Sequence, residues 1–192
     1  IAVSRELAGD LHHRLGISRE RIAVIANGVD IAGVRLLAQA PLDDPWFASG
    51  APPVIVSAGR LSRQKNYALL LDAFAILRRT MHARLMIMGD GPDRAALLRQ
   101  SERLGIAADL RLPGFESNPP RYFARAGLFA LSSRWEGASN VILEALACGC
   151  PVAAVDCPTG IREQLDHGRI GPIVPQGDAP ALARAMAQRL GA

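Results

Sequence analysis

Short apolar segments separated by amphipathic stretches recur along this chain from residue 54 onward. That alternation constrains the fold more than any other feature. Val54-Ile55-Val56, Arg84–Met88, Leu110–Leu112, Leu128–Leu131, Val152–Val155 and Ile173-Val174 each read as a short strand. Between and after them, Tyr67–Arg79, Asp93–Leu104, Pro120–Ala126, Asn140–Ala147, a short segment from Ile161 and Ala179–Leu190 read as helices. A strand without polar alternation is buried on both faces, and a strand–helix–strand succession is the pattern of a parallel sheet covered by helices. Right-handed crossovers put helices on both faces. The expected architecture is a doubly wound α/β layer fold with a mostly parallel sheet. Ligands in such sheets bind beyond the carboxyl ends of the strands, so the loops that follow the strands are where chemistry is to be sought.

Upstream the pattern is less regular. Ser4 to Leu15 reads as a helix, with Ser4 as N-cap, Leu7, Leu11 and Leu15 along one stripe, and Gly16 as the stop. Ile22–Ile25 reads as a short strand, Asn27-Gly28 as a turn, and Pro41–Pro53 as a long surface connection.

Composition removes several classes. The chain has 192 residues, 49% of them hydrophobic, too apolar for a disordered chain and long enough for one domain plus a fragment of another. The longest uncharged run, Pro45 to Gly59, holds 15 residues and three prolines, short of the roughly 20 apolar residues of a membrane span. Three cysteines argue against a disulfide framework and for a reducing compartment. The net charge of +4 is spread along the chain, and only nine residues are aromatic, which speaks against nucleic acid and for a small anion such as phosphate. Of the 22 basic residues, 21 are arginine and one is lysine, Lys65. A site that needs a compact point charge could not take the planar fork of arginine instead.

Two loops carry the chemistry. Gly59-Arg60-Leu61-Ser62-Arg63-Gln64-Lys65-Asn66 follows the first regular strand, places three cations in six positions and leads into a helix. Full charges beside a helix N-terminus suit a diphosphate; the same residues also read as a solvated basic loop. The glycine spacing is not that of a P-loop. Ser132-Ser133-Arg134-Trp135-Glu136-Gly137-Ala138-Ser139 follows the strand Leu128–Leu131 and leads into a helix on which Asn140 and Glu144 share one face. Ser139 is its candidate N-cap. Two carboxylates, Glu136 and Glu144, then stand near one strand end, and ionised carboxylates suit vicinal hydroxyls. The alternative is that Glu136 pairs with a nearby arginine and Glu144 is a surface helix residue. Gly89-Asp90-Gly91 lacks the third glycine of a dinucleotide fingerprint, and no run has metal-ligand spacing.

Taken together, Ser57-Ala58-Gly59-Arg60-Leu61 with Lys65-Asn66, and the long run Glu136-Gly137-Ala138-Ser139-Asn140-Val141-Ile142-Leu143-Glu144-Ala145-Leu146-Ala147-Cys148-Gly149-Cys150-Pro151-Val152, resemble the retaining glycosyltransferases of family 4, which have the GT-B architecture. The resemblance covers nearly the whole chain. It implies one Rossmann-like half of a two-domain enzyme, using a nucleoside-diphosphate sugar as co-substrate and no cofactor or metal. Arg60 and Lys65 would hold the diphosphate and stabilise the departing nucleoside diphosphate. Glu136 would lie by the donor sugar, and Glu144 would bind the ribose. Gly59 belongs to the phosphate loop. Ser139, Asn140 and Val141 would bring backbone N–H groups near sugar and phosphate, and Gly114 and Phe115 would sit near the base. Ala138 and Ile161 stand where relatives often carry a bulkier residue and a proline; neither change removes a charge.

The same resemblance implies a domain division. Residues 21–192 would be the C-terminal donor-binding domain, and residues 1–20 the last helix of an N-terminal acceptor domain outside this sequence, which begins at Ile1. The acceptor, a saccharide or a lipid-linked one, would bind mainly there. The chain alone would bind a nucleoside diphosphate and transfer nothing. The implied location is cytoplasmic, with the full-length protein either free or peripheral at the inner membrane face. Two competing functions are a nucleotide-binding module without transfer activity and a nucleotide-sugar epimerase of the same GT-B shape. The stripe Leu7, Leu11, Leu15 lacks an evident partner and is expected to be weakly anchored.

Overall fold

The computed structural model describes residues 1–191. In chain order its elements are α1 (Arg5–Leu15), α2 (Ile31–Ala38), β1 (Val54–Ala58), α3 (Tyr67–Leu77), β2 (Arg84–Met88), α4 (Arg94–Arg103), β3 (Leu110–Gly114), α5 (Pro120–Phe123), β4 (Leu128–Leu131), α6 (Asn140–Ala147), β5 (Val152–Val155), α7 (Ile161–Gln164), β6 (Ile173–Val174) and α8 (Ala179–Leu190), with short 3-10 turns between some of them. All six strands pair in parallel, in the order β3-β2-β1-β4-β5-β6. The fold is the expected Rossmann-like α/β layer. The chain builds outward from β1 through β2 to β3. It then crosses back to lay β4 on the other side of β1, so the winding reverses between β1 and β4. This switch point opens a crevice at the carboxyl ends of those two strands.

The strands are apolar on both sides because both faces are covered. In β1, Ile55 packs into one cluster with Leu70, Phe74 and Met186 from α3 and α8. Its neighbours Val54 and Val56 pack into a second cluster with Phe123, Ile142 and Ile161 from α5, α6 and α7. This is the two-residue period of a strand between two helical layers. No helix among the described residues is long and apolar enough to cross a membrane.

Three expectations upstream of β1 are corrected. Ile22–Ile25 does not form a strand. It has only a single parallel bridge between Ala2 and Val24, flanked by hydrogen bonds from Ala2 N to Ala23 O and Ile25 N to Ala2 O. No sheet edge lies alongside to extend it, and Ile25 is 56% exposed. Asn27-Gly28 makes no turn but lies in an irregular segment that leads into α2, a helix the apolar spacing did not reveal. Asp30 caps that helix by accepting from Gly33 N at 3.0 Å, and Ile31, Leu36 and Leu37 on it stay exposed, so it shows no clean core stripe. The connection over 41–53 is more than surface: Pro45–Phe47 forms a 3-10 turn that buries Trp46. The Arg111 guanidinium lies 4.0 Å from that ring centroid.

α1 has the expected caps. Ser4 Oγ accepts from Leu7 N at 3.0 Å, and Gly16 ends the helix at φ 65°. No residue of α1 itself is buried. The helix is held at its N-terminus, where Ala2 and Ser4 are buried and a reciprocal clasp joins it to α7. The Glu163 carboxylate accepts from Arg5 N at 3.2 Å and Glu6 N at 2.9 Å, and Glu6 Oε2 accepts from Gly160 N at 2.7 Å.

Candidate functional site

The two nominated loops leave the carboxyl ends of β1 and β4, which are neighbours across the switch point. Backbone contacts knit them together. Arg134 N donates to Gln64 O at 2.7 Å, Ser132 Oγ to Lys65 O at 2.9 Å, and Gln64 Nε2 to Trp135 O at 3.0 Å. The first loop closes on itself through Lys65 N to Ser62 O at 3.0 Å. It then enters α3 through Asn66 in the left-handed region, φ 51°, which asparagine tolerates better than most residues.

At the centre Lys65 Nζ donates to Glu136 Oε1 at 2.6 Å, and Ser133 Oγ donates to the same oxygen at 2.6 Å. Both charged side chains are largely buried, at 17% and 8% exposure. The sequence reading gave these residues separate tasks and, as its alternative, an arginine partner for Glu136. The structure instead pairs Glu136 with the one lysine of the chain. The Glu136 backbone is strapped to the loop after β5: its N–H donates to Pro158 O at 2.6 Å, and Thr159 N donates back to Glu136 O at 2.5 Å. The strap and the ion pair were missed because their members lie far apart in the chain; Ser133, three residues before Glu136 on the same loop, was within local reach but carried no spacing signal of its own. The buried Cys157 lies near the pair, and its thiol is pushed up to about 12, by burial first and then by the charge of Glu136.

On the β2 side the strand ends approach very closely. Gly59 N donates to Met88 O at 2.9 Å, and Gly89 N to Gly114 O at 2.6 Å. A Cβ on Gly89 would lie 2.1 Å from Gly59 O, so only glycine permits this approach. Beside them runs a groove of about 390 Å³ whose lining includes Gly59, Arg60, Gly89, Phe115 and Val141. Arg60 is exposed at its rim, and Phe115 is 86% exposed. Gly114, bonded to Gly89, and Phe115, in the groove wall, therefore lie on the same side of the crevice as Gly59 and Arg60.

The start of α6 is the third wall. Ser139 occupies the N-cap position, but the expected side-chain cap is absent. Its backbone is held by Gln164, which accepts from Ser139 N at 2.9 Å and donates to Ser139 O at 3.2 Å. That grip leaves Ser139 Oγ buried without a hydrogen-bond partner. Asn140 Oδ1 accepts from Asn27 Nδ2 at 2.7 Å, a contact from the segment before α2. Glu144 is half-buried, and no ion pair among the described residues includes it. Burial alone raises its carboxyl above the usual range. It is neither a paired nor a freely solvated surface residue. Among the described residues, no group of three or more His, Cys, Asp or Glu could hold a metal ion.

The family model described as "Glycosyl transferases group 1" matches residues 52–191. The chain is 34% identical over 167 residues to the N-acetylgalactosamine-N,N'-diacetylbacillosaminyl-diphospho-undecaprenol 4-alpha-N-acetylgalactosaminyltransferase of Campylobacter jejuni, covering 86% of this chain and 43% of that protein. It is 34% identical over 174 residues to the lipopolysaccharide core biosynthesis glycosyltransferase LpsE of Rhizobium meliloti, covering 91% and 48%. Among solved structures, HepE of Anabaena in complex with UDP-glucose superposes with a TM-score of 0.84 at 27% identity, over 99% of this chain and 53% of that one. The chain thus spans less than half the length of these curated relatives.

Proposed function

This chain belongs to the glycosyl transferases of group 1, and we propose that it is the donor-binding half of a GT-B enzyme that transfers a sugar, with retention and without a metal, from a nucleoside-diphosphate sugar to an acceptor. The observation that carries the proposal is the junction at the switch point. There the only lysine, an exposed arginine, the uncapped start of α6 and an apolar groove converge on one crevice. In this reading the base lies in the groove beside Gly114 and Phe115. The diphosphate lies against Gly59, Arg60, Lys65 and the N–H groups around Ser139, Asn140 and Val141. Glu144 accepts from the ribose hydroxyls, and Glu136 faces the sugar. A carboxylate held half-buried without a cation gains a partner when hydroxyls arrive.

Mechanism follows from charge. Breaking the anomeric bond places negative charge on the diphosphate. Preorganised cations and helix N–H groups aimed there lower the barrier without reorganising at the moment of reaction. A lysine already held at 2.6 Å by Glu136 is fixed in place before the donor arrives. On the one-face route expected for retention, the departing phosphate takes the acceptor proton. The acceptor-binding domain, with residues 1–20 as its last helix, would supply the other wall of the cleft. The chain alone binds the donor and leaves it untransferred, because orienting the acceptor supplies roughly 7–11 kcal/mol of barrier reduction. We propose a cytoplasmic location, with the full-length protein free or peripheral at the inner membrane face.

Calorimetric titration of uridine and UDP tests this reading. UDP should bind far more tightly than uridine, and added salt should weaken it. Lys65→Ala should reduce UDP affinity by about 10- to 100-fold and leave uridine unaffected. Lys65→Arg should restore only part, since a fork cannot keep the point-charge contact to Glu136. Equal affinity for both ligands, or an unaffected Lys65→Ala, would overturn the diphosphate site. Because Lys65 and Glu136 touch, Glu136→Ala should weaken UDP as well as UDP-sugar, in contrast to the separable roles their sequence positions suggest. Incubation of the full-length protein with donor alone distinguishes an epimerase, which needs no acceptor.

A further inference from the structure

The chain has two tryptophans, and the fold treats them differently. Trp46 is 7% exposed, with the Arg111 and Arg84 guanidinium groups 4.0 and 5.2 Å from its ring centroid. Trp135, the residue before Glu136, is 49% exposed. Among the described residues no aromatic ring or guanidinium stacks on it. An indole left half in water forgoes much of the stabilisation that its burial would bring. Yet the backbone that carries it is fixed. Gln64 Nε2 donates to Trp135 O at 3.0 Å, Gln176 Nε2 donates to Arg134 O at 2.6 Å, and Arg134 N donates to Gln64 O at 2.7 Å. Two glutamines, from the loops after β1 and β6, hold the residues from which the ring projects.

A groove of about 560 Å³ has Asn66, Asp72, Arg134, Trp135 and Gln176 in its wall. It opens between the start of α3 and the loop before α8, and shares no lining residue with the groove beside Phe115. Its polar groups have unused bonding capacity. Asp72 Oδ1 accepts from Gln100 Nε2 at 2.8 Å, and among the described residues nothing donates to Asp72 Oδ2. Arg134 is in no ion pair among the described residues and only reaches toward Asn66 Oδ1, at 3.4 Å. Gln176 uses its amide donor on Arg134 O, which leaves its amide oxygen as an acceptor. One carboxylate and one guanidinium cancel, so these five side chains carry no net charge, unlike the crevice around Arg60 and Lys65. A hydroxyl both donates and accepts, so a wall of free donors and acceptors in balance suits a neutral polyol rather than a phosphate. The electron-rich face of an exposed indole suits the C–H face of a pyranose, whose hydrogens are weakly positive.

We propose that this groove is a binding site for a neutral pyranose, its ring stacked on Trp135 and its hydroxyls shared among Asp72, Arg134 and Gln176. In the two-domain enzyme it holds a sugar unit of the acceptor beside the loop that carries Glu136. That last assignment rests on the transfer reading; the groove's affinity for a pyranose does not.

The test is nuclear magnetic resonance on the ¹⁵N-labelled 192-residue chain, with and without saturating UDP. Methyl glycosides of glucose, galactose and N-acetylglucosamine are titrated in. The signals followed are the Trp135 indole N–H and the side-chain amides of Gln176 and Asn66. At least one glycoside should move all three with a Kd of about 1–10 mM, and uridine should move none of them. Trp135→Ala should weaken that glycoside about tenfold or more, Trp135→Tyr should recover part of the loss, and Asp72→Ala should weaken it about fivefold. UDP affinity should stay within about twofold of the parent in all three variants. No response to any glycoside, an equal response in Trp135→Ala read at Gln176, the same shifts with uridine, or a larger loss of UDP affinity overturns the pyranose site and leaves the donor site standing. A parent chain that binds a glycoside but not UDP overturns the donor reading, and with it the assignment to the acceptor, while the pyranose site stands.

Discussion

Two helices in this chain begin with the same residue and are treated in opposite ways. At α1, Ser4 Oγ accepts from Leu7 N, and the Glu163 carboxylate takes the N–H groups of Arg5 and Glu6. The donors of that first turn are spent inside the molecule. At α6, Ser139 Oγ is buried without a partner, the first turn holds no acidic residue, and the backbone of Ser139 is turned by Gln164. Its donors stay available to an anion. A serine ahead of a helix thus nominates a helix start. Whether the start is closed or open depends on which side chains the fold brings to it.

The strongest challenge to this contrast is to close the open start. Ser139→Asp places a carboxylate where the phosphate is expected, and like charges within about 4 Å at protein-surface dielectric cost several kcal/mol. Titration should show UDP affinity lowered by about a hundredfold or more, and retained affinity would mean that the anion does not use α6. Opening the closed start is the converse. Glu163→Ala should release α1 at a cost of about 1–2 kcal/mol, seen as faster amide exchange over Leu7–Leu15 with UDP affinity unchanged. A smaller effect separates the two serines themselves. Ser4→Ala should cost about 1 kcal/mol of anchoring, whereas Ser139→Ala, which deletes an unpaired group, should leave thermal stability equal or higher.

Acid should give the smallest effect, with opposite signs in the two regions. Beside α7, hydrogen bonds from Arg162 hold the Asp156 carboxyl below its usual range. Its stabilisation is present above about pH 4 and is lost as pH falls through the depressed folded value. On α6, burial holds Glu144 above its usual range, so its ionised form strains the free chain at neutral pH and protonation relieves that strain. Hydrogen exchange stepped downward from about pH 6 should therefore loosen the segment around Arg162 while the segment around Glu144 holds or tightens. Loosening at both together would remove the distinction.

Much of the molecule from β1 onward was legible. The strands announced themselves because helices cover both faces and most strand residues are buried and apolar, with Ser57, Arg84 and Arg111 as exceptions. The loops announced themselves because charge, glycine and serine interrupt that apolar run. The first 53 residues were less legible. They bury little, so no periodicity marks α2, and the apolar run Ile22–Ile25 had no sheet edge to join. Within the site, Lys65, Arg60, Glu136 and Glu144 could be nominated from the sequence, but their contacts could not. Tyr67 was legible only as a helix residue; its burial against Gly59 is a property of the packed core.

By itself the sequence determined the kind of fold, the end of the sheet where its loops gather charge, and the residues available there. Those are local properties, set by side-chain period and by the order of turns along the chain. Only the tertiary structure decided that β1 and β4 are neighbours. Strands buried on both faces carry the same apolar pattern, so nothing in that pattern ranks one partner above another. The order comes from crossovers and from helices packing between distant segments. From that one adjacency follow the pairing of Lys65 with Glu136 across 71 positions and the crevice itself; the Gln164 grip on Ser139 follows in the same way from β5 lying beside β4.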